Sequence, residues 1–217
     1  MRPLPKLAIF DMDGLIFDTE EMFFEQLRLV MKTYGYHMTR ERYIETLGLA
    51  REAARVKMTG FFGTDYPFDE ISAKARKSLN EIAAVQGLRV KKGITQLLHF
   101  FKTKDIPCCV ASSSPSDVVA LYLKSGLIYE YFTHIIGGEM ISHSKPDPEI
   151  FLASCSAFQV APSDAIVLED SENGGRAAIA AGIPLILIPD MKIPQQEVLS
   201  KAFLVAADAL EVITFFS

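Results

Sequence analysis

Leu7-Ala8-Ile9-Phe10-Asp11-Met12-Asp13-Gly14, near the start of the chain, joins an apolar run to a pair of aspartates. Four consecutive apolar residues, with no polar alternation, predict a short strand buried on both faces. The run stops at two aspartates and a glycine, so carboxylates leave the strand at its carboxyl end. Outward from this point, residues 106–111, 135–136, 165–168, 184–188 and 203–205 repeat the pattern of short apolar strands. Between them, residues 94–102, 116–124, 148–158, 173–181 and 210–216 carry helical spacing. Gly126 and Gly182 stand where two of those helices stop, and Pro148 sits near a helix start, where its missing N–H costs little. Such alternation predicts a parallel sheet covered by helices on both faces.

Residues 20 to about 86 break the alternation. Met22, Phe23, Leu27, Val30 and Met31 recur at helical spacing, Gly35 ends that run, and Thr39 opens another. Residues 51–61 and 69–85 read as two more helices, with Asp69 as an N-cap. The block is predicted as an all-helical insertion bounded near Phe17 and Gly87. The expected division is a core of residues 1–16 and 88–217 and a helical domain of residues 17–87.

The chain has 217 residues, 49% of them hydrophobic, so it is long enough to bury a sizeable core. Its net charge of -5 lacks the basic stripe that nucleic acid favours. No run approaches the ~18 apolar residues of a membrane span, and the N-terminal apolar stretch is too short for a signal peptide. Cys108, Cys109 and Cys155 are odd in number and read as reduced thiols. The expectation is a cytoplasmic monomer that acts on a small molecule, with no nucleic-acid or membrane partner.

A doubly wound sheet places its ligand at the carboxyl ends of its strands. The polar residues just past each predicted strand are Asp11 and Asp13, then Ser112 to Ser114, then Glu169 and Asp170. Several carboxylates at one edge repel one another unless a cation joins them, and a hard divalent ion such as Mg²⁺ suits oxygen ligands. A calcium loop is the competing reading of Asp11-Met12-Asp13-Gly14. The apolar Leu15-Ile16-Phe17 that follows argues against it, since a calcium loop needs further ligands there.

Four segments resemble the signatures of the haloacid dehalogenase-like superfamily. They are Asp11-Met12-Asp13-Gly14 with Asp18-Thr19, Val110-Ala111-Ser112, Lys145-Pro146-Asp147-Pro148-Glu149-Ile150-Phe151, and Glu169-Asp170-Ser171 with Gly174. They occur in order and frame nearly the whole chain, and the helical insertion resembles the cap of the β-phosphoglucomutase-like and phosphatase subgroup. The resemblance implies an α/β fold, a Rossmann-like doubly wound parallel sheet core with an inserted all-helical cap. It implies Mg²⁺ as cofactor and a phosphate ester as substrate. Asp11 would be the nucleophile and Asp13 the general acid and base. Asp11, Asp13 through its carbonyl, and Asp170 would hold the metal, with Glu169 supporting them. Ser112 and Ser113 would bind phosphate, and Lys145 would neutralise charge. In the cap, Arg51 and Glu20 are expected to reach the substrate.

Asp13 and the acidic pair argue against a dehalogenase, and Asp13 against a phosphonatase. β-Phosphoglucomutases carry a histidine where this chain has Phe23. The resemblance therefore implies a phosphatase for small phosphate monoesters, sugar phosphates above all. A sugar phosphomutase is the alternative. A non-catalytic metabolite-binding relative is a second one, disfavoured because every catalytic position is filled.

Overall fold

The computed structural model describes residues 3–217. In chain order, strand β1 (Leu7–Phe10) is followed by helices α1 (Thr19–Thr33), α2 (Arg40–Ile44), α3 (Arg51–Phe62) and α4 (Phe68–Gln86). Alternation then runs through α5 (Ile94–Thr103), β2 (Cys108–Ala111), α6 (Ser116–Ser125), β3 (Phe132–Ile136), α7 (Glu149–Phe158), β4 (Ala165–Glu169), α8 (Glu172–Ala180) and β5 (Leu185–Leu187). It closes with α9 (Gln196–Lys201), β6 (Leu204–Val205) and α10 (Ala209–Phe216). Two compact units result: residues 1–18 with 87–217, and residues 19–86.

In the first unit six strands form one parallel sheet in the order β3-β2-β1-β4-β5-β6. Leu7, Ala8, Ile9 and Phe10 are fully buried, as an uninterrupted apolar run at the sheet centre requires. Phe10 meets Phe101 and Phe132 edge-on, with ring centroids 6.2 and 5.6 Å away. Burial of each large side chain of this kind contributes roughly 1.5–3 kcal/mol. The register fixes the site. Phe10 pairs with Val110 of β2 and with Leu168 of β4, so the residues that follow each strand emerge side by side. The strand order reverses between β1 and β4, which is where a doubly wound sheet opens a crevice for its ligand.

Three local features differ from the sequence reading. β3 begins at Phe132 rather than residue 135, because it is an edge strand whose Thr133 and His134 face solvent and dilute the apolar signal. α9 lies in the polar stretch after Pro194 and carried no periodicity long enough to detect. Asp69 does not cap a helix. α4 starts one residue earlier, at Phe68, and the Asp69 carboxylate is taken by Arg55 and Arg51.

The second unit is wholly helical. α1 and α4 pack through Phe24, Leu27 and Met31 on one side and Ile71, Ala75 and Leu79 on the other, the i, i+3, i+4 stripe of amphipathic helices. Tyr36, Phe62 and Tyr66 form an aromatic cluster with centroids 5.1–5.7 Å apart, so these rings pack the unit. The three cysteines are free and buried, and burial pushes the Cys108 thiol up to about 12. No described helix is long and apolar enough to cross a membrane.

Candidate active site

The first unit gathers Asp11, Asp13, Ser112, Ser114, Lys145, Glu169 and Asp170 at the carboxyl edge of β1, β2 and β4. Lys145 is the hub. Its ammonium donates to Asp11 Oδ1 at 2.5 Å, to Glu169 Oε1 at 2.8 Å and to the Ala111 carbonyl at 3.1 Å, and only 6% of its side chain is exposed. All three of its protons are therefore placed. Burial alone would lower this ammonium, but Asp11 and Glu169 outweigh it and hold the group charged.

Asp11 shows the opposite balance. Burial pushes its carboxyl well above the usual range, Lys145 pulls it down, and Glu169 and Asp13 push it up again. One lysine does not neutralise this cluster.

The β4–α8 turn is built around the Glu169 carboxylate. Its Oε2 accepts from the Asp170 N–H at 2.9 Å, the Ser171 N–H at 2.8 Å and the Ser171 hydroxyl at 2.9 Å. The Ser171 oxygen in turn accepts from the Gly174 N–H at 3.1 Å and so caps α8. A side chain on Gly174 would overlap the Glu169 carboxylate, which is the physical reason for glycine there. Both Glu169 oxygens are engaged in this way, one by Lys145 and the other by the turn.

Ser112 is buried, and its Oγ accepts from the Ser114 N–H at 3.1 Å. The Ser114 hydroxyl donates to Asp13 Oδ2 at 3.0 Å. This fixes the carboxyl expected to move the proton while Asp13 Oδ1 stays buried without a protein hydrogen bond. Ser113 is exposed on the loop between them.

Oxygen atoms of Asp11, Glu169 and Asp170 lie within 4.8 Å of one another. Gly14 has φ +81°, and the Asp170 carboxylate fills the space a Cβ would need, so the turn after Asp13 and the acid after β4 are in direct apposition. Hard oxygen donors, an excess of negative charge and a buried Asp13 oxygen without a partner fit Mg²⁺.

The expected substrate residues of the second unit have other engagements. Arg51 pairs with Asp69 at 2.7 Å, lies over the Phe68 ring, and leaves 70% of its side chain exposed. Glu20 accepts from the Tyr43 hydroxyl at 2.6 Å. Phe23 stacks under the Arg76 guanidinium, 4.4 Å from ring centroid to cation. His143, the histidine nearest in sequence to Lys145, meets Glu149 at 3.0 Å in the open.

The sequence reading named Ser114 as part of the serine cluster without a role, and it passed over Lys91 and Asp190. The Lys91 ammonium donates to the Gly14 carbonyl at 2.5 Å and to Asp190 Oδ1 at 2.6 Å. Serine two residues past Ser112 was a readable signal. Asp190 stands three residues past β5, while nothing local marks Lys91, and their meeting depends on the sheet.

The fold and this edge define an α/β phosphotransfer-type hydrolase with an inserted helical unit. Residues 8–188 match the family described as haloacid dehalogenase-like hydrolase, and the chain belongs to that family. It is similar to the "Probable pseudouridine-5'-phosphatase" of Drosophila melanogaster, 29% identical over 88% of this chain and 84% of that one. It is also similar to the phosphorylated carbohydrates phosphatase of Thermotoga maritima, 31% identical over 82% of each. The solved structure of CbbY from Rhodobacter sphaeroides in complex with phosphate shares the fold, with a TM-score of 0.80, 24% identity and 96% of each chain covered.

Proposed function

We propose that this chain is a Mg²⁺-dependent phosphatase that hydrolyses small phosphate monoesters, sugar phosphates foremost, through an aspartyl-phosphate on Asp11. The observation that carries the reading is Lys145 bridging Asp11 and Glu169 while Ser112 and the Ser114–Asp13 pair stand on the neighbouring strand ends.

The chemistry follows in two displacements. The Asp11 carboxylate attacks phosphorus, the bond to the ester oxygen breaks, and Asp13 delivers its proton to that oxygen as it leaves. Asp13 then takes a proton from water, the water oxygen bonds to phosphorus, and the Asp11 carboxylate departs. Lys145 opposes the burial of Asp11 by pulling its carboxyl toward the anionic form that attacks, and Ser112 with the Ser113 N–H would face the phosphoryl oxygens. The Asp11 and Asp170 carboxylates and the Asp13 main-chain carbonyl would hold Mg²⁺, which when bound offsets negative charge on the transferring group.

Phosphatase is favoured over mutase because Phe23, locked beneath Arg76, has no N–H or lone pair with which to steer a proton. The relatives' named substrates supply the first panel: phosphorylated carbohydrates and pseudouridine 5'-phosphate. The test is a phosphorus NMR time course with that panel and β-glucose 1-phosphate, in Mg²⁺, primed with a trace of hexose bisphosphate. Free phosphate is the expected product. Conversion to glucose 6-phosphate with almost no free phosphate would make the chain a mutase, and no turnover of any member would sink both readings.

A further inference from the structure

Lys91 and Asp190 come from separate parts of the first unit, one just before α5 and the other three residues past β5. They meet at the turn that follows Asp13. Lys91 holds that turn twice: its main-chain N–H donates to the Ile16 carbonyl at 2.8 Å and its ammonium to the Gly14 carbonyl at 2.5 Å. The turn is also closed on itself by the Gly14 N–H on the Phe17 carbonyl at 3.0 Å. On its other side it abuts Asp170, whose carboxylate fills the Cβ space of Gly14. A shift of the turn therefore moves the Asp13 carbonyl and Asp170 relative to each other.

An ammonium at this place has a cost. It sits against the carbonyl next to the one expected to face a dication, with 22% of its side chain exposed, so solvent screens it incompletely. Asp190 answers that charge at 2.6 Å, itself 14% exposed, with its second oxygen buried and without a protein hydrogen bond. A single hydrogen bond from a neutral donor would hold the Gly14 carbonyl equally well. A lysine with its own partly buried counter-ion adds charge control to the tether.

We propose that Lys91 and Asp190 form a charge-compensated clamp that sets the Asp13–Gly14 turn for the divalent cation, Asp190 being a positioning residue that cancels the Lys91 charge. The proposal rests on the metal-dependent reading above. Outer-shell partners of metal ligands commonly set affinity by 10–100-fold.

The test reads metal affinity without turnover: free Mn²⁺ is followed by electron paramagnetic resonance during titration of the full chain, with Mg²⁺ as competitor. Asp190→Asn leaves the lysine uncompensated and is expected to weaken Mn²⁺ about tenfold. Lys91→Gln keeps an N–H for the Gly14 carbonyl, removes the cation and is expected to tighten Mn²⁺. Opposite shifts support the clamp, and if one variant does not fold, the sign of the other still decides. Weakening in Lys91→Gln, or an unchanged constant in folded Asp190→Asn, overturns it. Wild-type protein that binds no Mn²⁺ would instead refute the metal-dependent reading itself, a separate outcome.

Discussion

The strand edge of the first unit and the helical second unit both carry many charges, but they use them differently. At the edge, Asp11, Lys145 and Glu169 are nearly water-free and bound to one another through Lys145. In the helical unit, Arg51, Arg55, Lys57, Lys74 and Lys77 each pair with a carboxylate in largely exposed positions. Exposed pairs contribute ~0–1 kcal/mol. A buried charge stripped of its partner costs several kcal/mol. Charge at the edge is therefore a commitment to chemistry, whereas most of the charge on the helices is a solvated surface.

Substitutions test this difference in the use of charge. Lys145→Met should have the largest effect. It leaves Asp11 and Glu169 buried together without their shared ammonium, and kcat/KM on the best substrate should fall by about 10²–10³-fold or more. A loss under tenfold would show that the buried pairing is incidental. Gly174→Ala is a smaller effect with an informative sign. Alanine inside a helix ordinarily stabilises by up to about 1 kcal/mol, but here the methyl meets the Glu169 carboxylate. The clash should win, with a net loss of roughly 1–3 kcal/mol in denaturant unfolding. A gain in stability would mean that the turn yields easily. Arg51→Ala should be the mildest, changing unfolding free energy by less than about 1 kcal/mol. A larger loss would mean that the helical unit depends on its surface network as the edge depends on Lys145.

The fold was legible where burial was complete. β1, β2, β4 and β5 run through the sheet interior, so their residues are apolar without alternation and stand out in the chain. β3 was only half legible because its edge position admits Thr133 and His134. At the site, Asp11, Asp13, Ser112 and Asp170 were legible because each follows a readable strand, and Glu169 because it ends one. Lys145 was visible through its resemblance to a family segment, not through any local pattern. Asp190 follows β5 by three residues, as Asp13 follows β1, so the strand-end rule reaches it, but its partner carries no such mark. Lys91 sits in a lysine-rich turn that looks like ordinary surface. What failed in each case was pairing at long range, which a single chain does not display.

The proposed mechanism stands or falls with Asp11 as the carrier of the phosphoryl group. The most direct test is to quench the enzyme during turnover, reduce any acyl phosphate with borohydride, and map the digest by mass spectrometry, with Asp11→Asn as the control. Homoserine is expected at position 11 in the wild type, none in Asp11→Asn, and no measurable turnover by that folded variant. Rapid turnover with Asp11 unmodified, or an active Asp11→Asn enzyme, would contradict the mechanism.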